Sequence, residues 1–387
     1  MPILNRAVEM QAEVAGWRRH LHQTPELLFD VHQTAAFVAA RLTEFGCDSV
    51  TTGLGRTGVV GIIKGTRGDG PTIGLRADMD ALPITEATGK PWSSSITGNA
   101  HSCGHDGHTA MLLGAAKYLT ETRNFAGSVA VIFQPAEEGG GGGREMVRDG
   151  LMETFGIKEV YGLHNKPGIP LGRFVTRPGP VMAASDTFEI IVTGSGGHAS
   201  QPHLTVDPVV ASAHVILALQ GLVSRQTDPL ESLVVSVTTT QGGTATNVIP
   251  GEVRLSGTVR TLTAERRDFA ERRLGEVAAA AASLYGATAT TRYSRGYPVT
   301  LNHPDQTDFA VEVARKVAGA AAVDADFPPV MGAEDFSYML EARPGAFIFL
   351  GIGDNAPLHH PAYDFNDEAI PHGVSYWVAL AETALAA

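Results

Sequence analysis

Four short apolar runs, Gly58 to Lys64, Thr72 to Arg76, Ser128 to Phe133 and Glu159 to Leu163, alternate with longer stretches of helical spacing early in the chain. That interleaving specifies an α/β sheet with helices on both faces. Between the second and third runs, Met111, Leu112, Ala115, Ala116 and Leu119 mark one apolar face of a helix that begins near Asp106. From Ala184 the pattern changes. A strand at Thr187 to Thr193 is followed by an apolar helix at Val206 to Val223 and by strands at Leu233 to Thr240 and Glu252 to Arg260. A helix from Ala264 to Leu284, with Thr263 as its cap, and a strand at Ala287 to Tyr293 complete the set. The order β-α-β-β-α-β is the ferredoxin-like, split-βαβ arrangement, and it closes within about 110 residues, a domain-sized length. A helix near Asp305 to Val317, a strand at Ala346 to Leu350 and a last helix from Asp367 then restore the α/β character. The expectation is a discontinuous α/β domain, residues 1–183 and 296–387, whose mixed sheet is flanked by helices. An α+β ferredoxin-like domain at 184–295 is inserted into it.

Bulk properties narrow the function classes. At 387 residues the chain is long enough for two domains. A hydrophobic fraction of 43% with 18% charged residues is ordinary for a globular protein, and no stretch approaches the roughly 20 apolar residues of a membrane helix, so a soluble chain without a membrane partner is expected. The N-terminal residues alternate charged and apolar types without a continuous apolar segment, which argues against secretion. A net charge of −12 with scattered Lys and Arg makes nucleic acid a poor partner. Only two cysteines, Cys47 and Cys103, are present, so at most one disulfide could form and a cytoplasmic location is expected.

Four polar clusters fall just beyond the strands of the first domain, where open α/β sheets place their ligands. They are Asp78 and Asp80; His101, Cys103, His105 and His108 at a helix N-terminus; Glu137 and Glu138 before a run of glycines; and His164. Each alone has an ordinary reading as a cap, a turn or a solvated loop. Together they would concentrate negative charge with nitrogen and sulfur donors at one sheet edge, which is costly unless cations sit there. Imidazole, thiolate and carboxylate suit zinc or a similar ion, and the number of donors suits two ions. Of two adjacent glutamates, one can bind metal while the other accepts a proton.

At these residues the sequence resembles the dinuclear-metal aminoacylase and carboxypeptidase family, in its branch of hippurate hydrolase and the auxin-conjugate hydrolases. The resemblance is carried in order by WRRHLHQTPEL, GLRADMDALPI, CGHDGHTAMLLGAAKYL, FQPAEEGGGG, GLHN, GSGGHASQPH, TNVIPGEVRLSGTVRT, MGAEDFSYM and LHHPAYDFNDEAIP. It implies metal ligation by Cys103, His105, Glu138, His164 and His359, with Glu137 as general base and Asp80 orienting a ligating imidazole. Asp80 is chosen over Asp78 because its DALP context is similar to the D-T-V-P of distant relatives, where a histidine fills the Asp78 slot. The family's L-H-S-P or L-H-N-P is here Leu358, His359, His360 and Pro361, so His360 competes with His359 for the ligand position. From the inserted domain the resemblance implies oxyanion stabilisation by His198 and carboxylate binding by Asn247 and Arg260. On residue type alone, these three read equally well as a turn histidine, a turn asparagine and a solvated strand arginine.

The resemblance further implies a metal-dependent amidohydrolase that cleaves N-acyl amino acids, hippurate-like, N-acetyl or related, with two divalent ions per subunit. Zinc or manganese is expected, and cobalt or nickel suits the same donors. The inserted domain would act as a lid and dimerisation domain, giving a homodimer in which His198 serves its own or its partner's site. Two rivals stand beside this reading: a cysteine amidase with Cys103 as nucleophile, and a dipeptidase or carboxypeptidase of the same family.

Overall fold

A computed structural model describes residues 3–386. The chain forms two compact units, one of Met1–Val181, Leu301–Pro328 and Asp335–Ala387, the other of Met182–Thr300 and Pro329–Glu334. The first begins with helices α1 (Asn5–Glu9), α2 (Gln11–Gln23) and α3 (His32–Phe45) and strands β1 (Ser49–Leu54), β2 (Gly58–Lys64) and β3 (Thr72–Asp78). Helix α4 (His105–Thr122) follows, then β4 (Ser128–Gln134), β5 (Ile157–Lys166) and β6 (Phe174–Val175). With the later strands Val323–Asp324 and Gly345–Gly351 these make an eight-stranded sheet, in the order β1, β2, β4, β3, β5, Gly345–Gly351, β6, Val323–Asp324.

The centre of that sheet is parallel: β4 with β3, β3 with β5, and β5 with Gly345–Gly351. The pairs β1 with β2, β2 with β4, and Gly345–Gly351 with β6 are antiparallel. Parallel neighbours need crossovers, and crossovers put helices on both faces. Helix α4 is such a crossover between β3 and β4, and residues 105–116 are all buried because it packs against α2, α3 and the C-terminal helix Ile370–Ala384 as well as the sheet. Leu75, Leu112, Phe133, Ile348 and Trp377 are among its fully buried core residues. All four central strands end at one edge.

Two details differ from the sequence reading. Strand β5 runs on to Lys166, so His164 lies within it, and Asp78 is the last residue of β3. Both carry polar side chains on strands whose apolar run had already ended, so periodicity alone does not extend them.

The second unit contains strand Ala184–Thr193, helix Pro208–Gln226, strands Leu233–Gln241 and Glu252–Thr261, helix Ala264–Ser283 and strand Thr288–Arg295. Its antiparallel sheet has Leu233–Gln241 at one edge, then Glu252–Thr261, Ala184–Thr193 and Thr288–Arg295. Burial alternates along Ala184–Thr193, and the buried face, with Ile190 and Val192, packs on Val215, Leu219 and Leu274 of the helices. Asp207 and Thr263 cap those helices by accepting from the Val209 and Arg266 amides at 2.8 and 3.2 Å. One expectation is corrected here. Helix Pro208–Gln226, with a mean hydropathy of 1.3, is long and apolar enough to cross a membrane by length and composition, where no such stretch was expected. Its apolarity is two-sided: Ala211, Val215, Leu219 and Leu222 are buried in the core, while Val209, Val210 and Leu217 are exposed.

Candidate metal centre

The site is assembled at the carboxyl edge of the parallel strands. Asp80 follows β3 and is fully buried, and its two carboxylate oxygens accept the backbone N–H groups of Glu137 and Glu138 at 2.9 and 3.1 Å. The loop after β4 is thereby pinned to the loop after β3. It is a tight loop, with Ala136 at φ 54°, a left-handed conformation that favours glycine. Gly142 is required by crowding, since a Cβ there would run into the carbonyl oxygen of Pro135. Gly104, at φ 95°, caps α4 and separates Cys103 from His105; a Cβ there would collide with the side chains of Asn165 and Tyr363.

His105 opens α4. Its Nδ1 donates to the backbone oxygen of Asp80 at 2.8 Å, so in the neutral ring the lone pair is on Nε2, and that buried atom has no hydrogen-bond partner among the described residues. The same tautomer is set at His164, whose Nδ1 donates to the backbone oxygen of Asn165 at 2.7 Å and whose Nε2 lies 3.5 Å from Cys103 Sγ. Glu138 Oε1, buried and also without a hydrogen-bond partner among the described residues, is 3.3 Å from His359 Nε2 and 3.8 Å from His105 Nε2. The donor atoms of Cys103, His105 and His164 lie within 4.8 Å of one another, and so do those of Cys103, Glu138 and His359, and of His105, Glu137 and Glu138. Cys103 belongs to two of these triads. The seven residues of this unit that the sequence singles out as site residues therefore converge.

The two candidates at the end of the chain are also separated. His359, at φ 64°, is held by its amide on the Ser102 carbonyl at 2.7 Å and presents its ring to Glu138. His360 is exposed and uses Nδ1 to accept the Ala362 amide at 3.1 Å. In the second unit, strand Gly197–His198 pairs with Val248–Ile249, which brings His198 beside Asn247. His198 is exposed, and its Nδ1 accepts from the Ser200 amide at 3.1 Å, which leaves Nε2 as the N–H donor. Arg260 is half-buried on another strand and donates to the backbone oxygen of Val259 at 3.1 Å and to Thr258 Oγ1.

Charge balance reports on what the cluster would hold. Burial pulls His105 down, but Asp78, Asp80 and Glu138 outweigh it and raise its pKa to about 10. Burial, Glu138, Glu137 and Asp78 all push the Cys103 thiol well above its usual range. The surroundings thus demand a positive charge that protons supply at His105 and Cys103. A divalent cation replaces those protons and lets the thiolate and imidazole form. The two aimed lone pairs, the shared thiol and the excess of carboxylate fit metal ions.

Beneath these donors lies a polar layer of Arg76, Asp78, His108, Asn165, Tyr363 and Asp335, all buried, of which the sequence singles out only Asp78 and His108, and those as members of the donor clusters. Asp335 accepts from Arg76, Gln134 Nε2 and the Gly143 amide at 3.0, 2.6 and 2.8 Å. The signal for Arg76, Asn165, Tyr363 and Asp335 was their place in the motifs GLRADMDALPI, GLHN, LHHPAYDFNDEAIP and MGAEDFSYM, which gives them no role.

Residues 74–383 match peptidase family M20/M25/M40. The chain belongs to that family. It is 40% identical over 381 residues to the hippurate hydrolase of Campylobacter jejuni, covering 98% of this chain and 99% of that one. It is 41% identical over 362 residues to the N-acetyl-L-cysteine deacetylase of Bacillus subtilis, covering 93% and 85%. Among solved structures, the YXEP protein of Bacillus subtilis, described as a dinuclear metal binding peptidase from the M20 family, superposes with a TM-score of 0.85 at 35% identity, covering 98% and 99%. M20 members are hydrolases of amide bonds, and this chain is one of them.

Proposed function

We propose that the protein hydrolyses the amide bond of N-acyl amino acids, such as N-benzoyl, N-acetyl or related conjugates, with two divalent ions held by Cys103, His105, Glu138, His164 and His359. The observation that carries this reading is the pair of donor triads sharing Cys103, with Glu137 beside them. When bound, the ions would polarise the scissile carbonyl and make water acidic near neutral pH. Glu137 takes the proton of the attacking water and delivers it to the leaving amine nitrogen as the C–N bond breaks. Asp80 keeps Glu137 in place through the backbone amides of residues 137 and 138. His198 donates from Nε2 to the tetrahedral oxyanion, and Arg260 with Asn247 grips the α-carboxylate of the amino-acid half.

The second unit is read as a ferredoxin-like lid and dimerisation domain, supported by its strand order with two sheet edges, and the active species as a homodimer. Unpaired Cys47 and Cys103 accord with a reducing, cytoplasmic setting. The thiol-nucleophile alternative is disfavoured, since a reactive cysteine needs a lowered pKa and Cys103 has the reverse. A panel of N-acetyl, N-benzoyl and indoleacetyl amino acids, assayed on protein stripped of metal and reconstituted with zinc, manganese, cobalt or nickel, tests the reading. Turnover should vanish on stripping, return with at least one ion, and resist iodoacetamide in the loaded enzyme. Full turnover in protein shown to be metal-free would sink it.

A further inference from the structure

We propose that Asp78 and His108, although grouped with metal-ligand residues, form a buried positioning pair that sets the ring of His164 through the backbone of Asn165. His108 cannot offer a nitrogen to an ion, because both are engaged. Its Nδ1 donates to Asp78 Oδ1 at 2.6 Å, and its Nε2 accepts the backbone N–H of Asn165 at 2.9 Å. Asn165 Oδ1 lies 2.6 Å from the same Nε2 and Asn165 Nδ2 donates to Tyr363 Oη at 2.7 Å; with the amide turned end for end, its NH2 donates to the Nε2 lone pair and its oxygen accepts from the tyrosine hydroxyl. The carbonyl of that same residue, Asn165, accepts from His164 Nδ1 at 2.7 Å. One residue therefore takes its position from His108 on its N–H side and imposes a tautomer and a ring orientation on His164 from its C=O side. The two rings meet edge to face, with centroids 4.4 Å apart, so His164 has no room to turn while His108 stays.

Asp78 is held in turn. Arg76 Nη1 donates to its Oδ2 at 2.8 Å, and Arg76 Nη2 donates to Asp335 at 3.0 Å. Asp335 also accepts the Gly143 amide at 2.8 Å, just beyond the loop that carries Glu137 and Glu138. The layer thus runs from the glutamate loop, under the cluster, to the histidine strand. Every member is at most 1% exposed, and partners of this kind fix ring orientation and ligand basicity at metal sites. This inference rests on the metal-site reading above.

The test compares His108→Leu with His108→Gln, whose amide can donate to Asp78 and accept from Asn165. Stoichiometry and affinity for cobalt are read by chelator competition and visible absorption, and melting of the metal-free proteins is measured alongside. His108→Leu should bind the weaker of two ions about 10- to 100-fold less tightly, with kcat/KM falling in parallel, and His108→Gln should recover most of that loss at a similar metal-free melting temperature. Unchanged affinity in His108→Leu overturns the proposal. So does equal impairment of both variants, which would make the imidazole itself a ligand. If His108→Leu does not fold, Asp78→Asn takes its place: its amide must turn an N–H toward Arg76 or His108, so cobalt affinity should again fall, and unchanged affinity again overturns the pairing. A parent protein that binds no ion removes the metal-site reading and this inference together, whereas two tight ions in both parent and variant remove this inference alone.

Discussion

Glu137 and Glu138 are neighbours in sequence with different surroundings. Glu138 faces His359 and His105, which hold its carboxyl below the usual range against the upward pull of burial. Replacing Glu138 with Gln should lower metal content, while Glu137→Gln should leave it nearly intact and cut turnover by about 100-fold or more, since only proton transfer is lost. Elemental analysis that found the opposite pattern would exchange the two roles. A second residue-scale consequence concerns His22 on α2, whose Nδ1 lies 2.8 Å from Asp106. Burial lowers its pKa, but Asp106 and Glu86 prevail and raise it to about 9 from 6.5. The native state therefore keeps a proton that the unfolded chain gives up. The associated stability is fully present below pH 6.5 and is lost as pH rises through about 9, on the order of 3 kcal/mol in all. His105 tilts the metal-free protein the same way, so the difference between parent and His22→Gln is what counts. The decline in melting temperature over that pH range should be shallower in the variant, and identical slopes would refute the assignment.

At the scale of elements, the turn into α4 offers a controlled comparison. Gly104 and Gly98 have similar left-handed conformations, φ 95° and 90°, but only Gly104 is crowded, against Asn165 and Tyr363. Gly98→Ala should cost about 1 to 2 kcal/mol from backbone strain alone, and Gly104→Ala clearly more, with weaker metal binding besides. Equal losses in chemical denaturation would mean that the packing beneath α4 is soft. The elements themselves were largely legible: the strands carrying Val60, Leu75, Val131 and Val160 are contiguous apolar runs, and Thr263 and Asp207 precede helices they cap. The motif residues were legible through resemblance. What could not be read was that Asp78 and His108 join Arg76, Asn165 and Asp335 in one buried layer. Its members come from four separated segments, and each is of a type usually found in turns or on surfaces; only tertiary contact turns them into one network. Helix Pro208–Gln226 was legible as the apolar helix expected at Val206 to Val223, but not its length of apolar character, which is spread over two faces and interrupted by His214.

At the scale of the whole molecule, the proposed dimer makes a prediction about mixing. An inactive Glu137→Gln protein and an inactive His198→Ala protein, brought together under conditions that allow subunit exchange, should regain activity if His198 serves the partner. One site of each heterodimer then joins an intact Glu137 to an intact His198. No recovery despite verified exchange would assign His198 to its own subunit. The sheet order of the first unit has a different kind of consequence. Strand Gly345–Gly351 lies between β5 and β6, yet it is made after nearly all of the second unit. A ribosome delivering this chain releases β5 and β6 with a slot between them that stays unfilled until Gly345–Gly351 has been made, well after β6. The second unit, by contrast, has received its four strands and both helices long before. Translation therefore favours a nascent chain in which the later domain is finished first, and the earlier one waits with an open seam for the arrival of Gly345–Gly351 or for a chaperone.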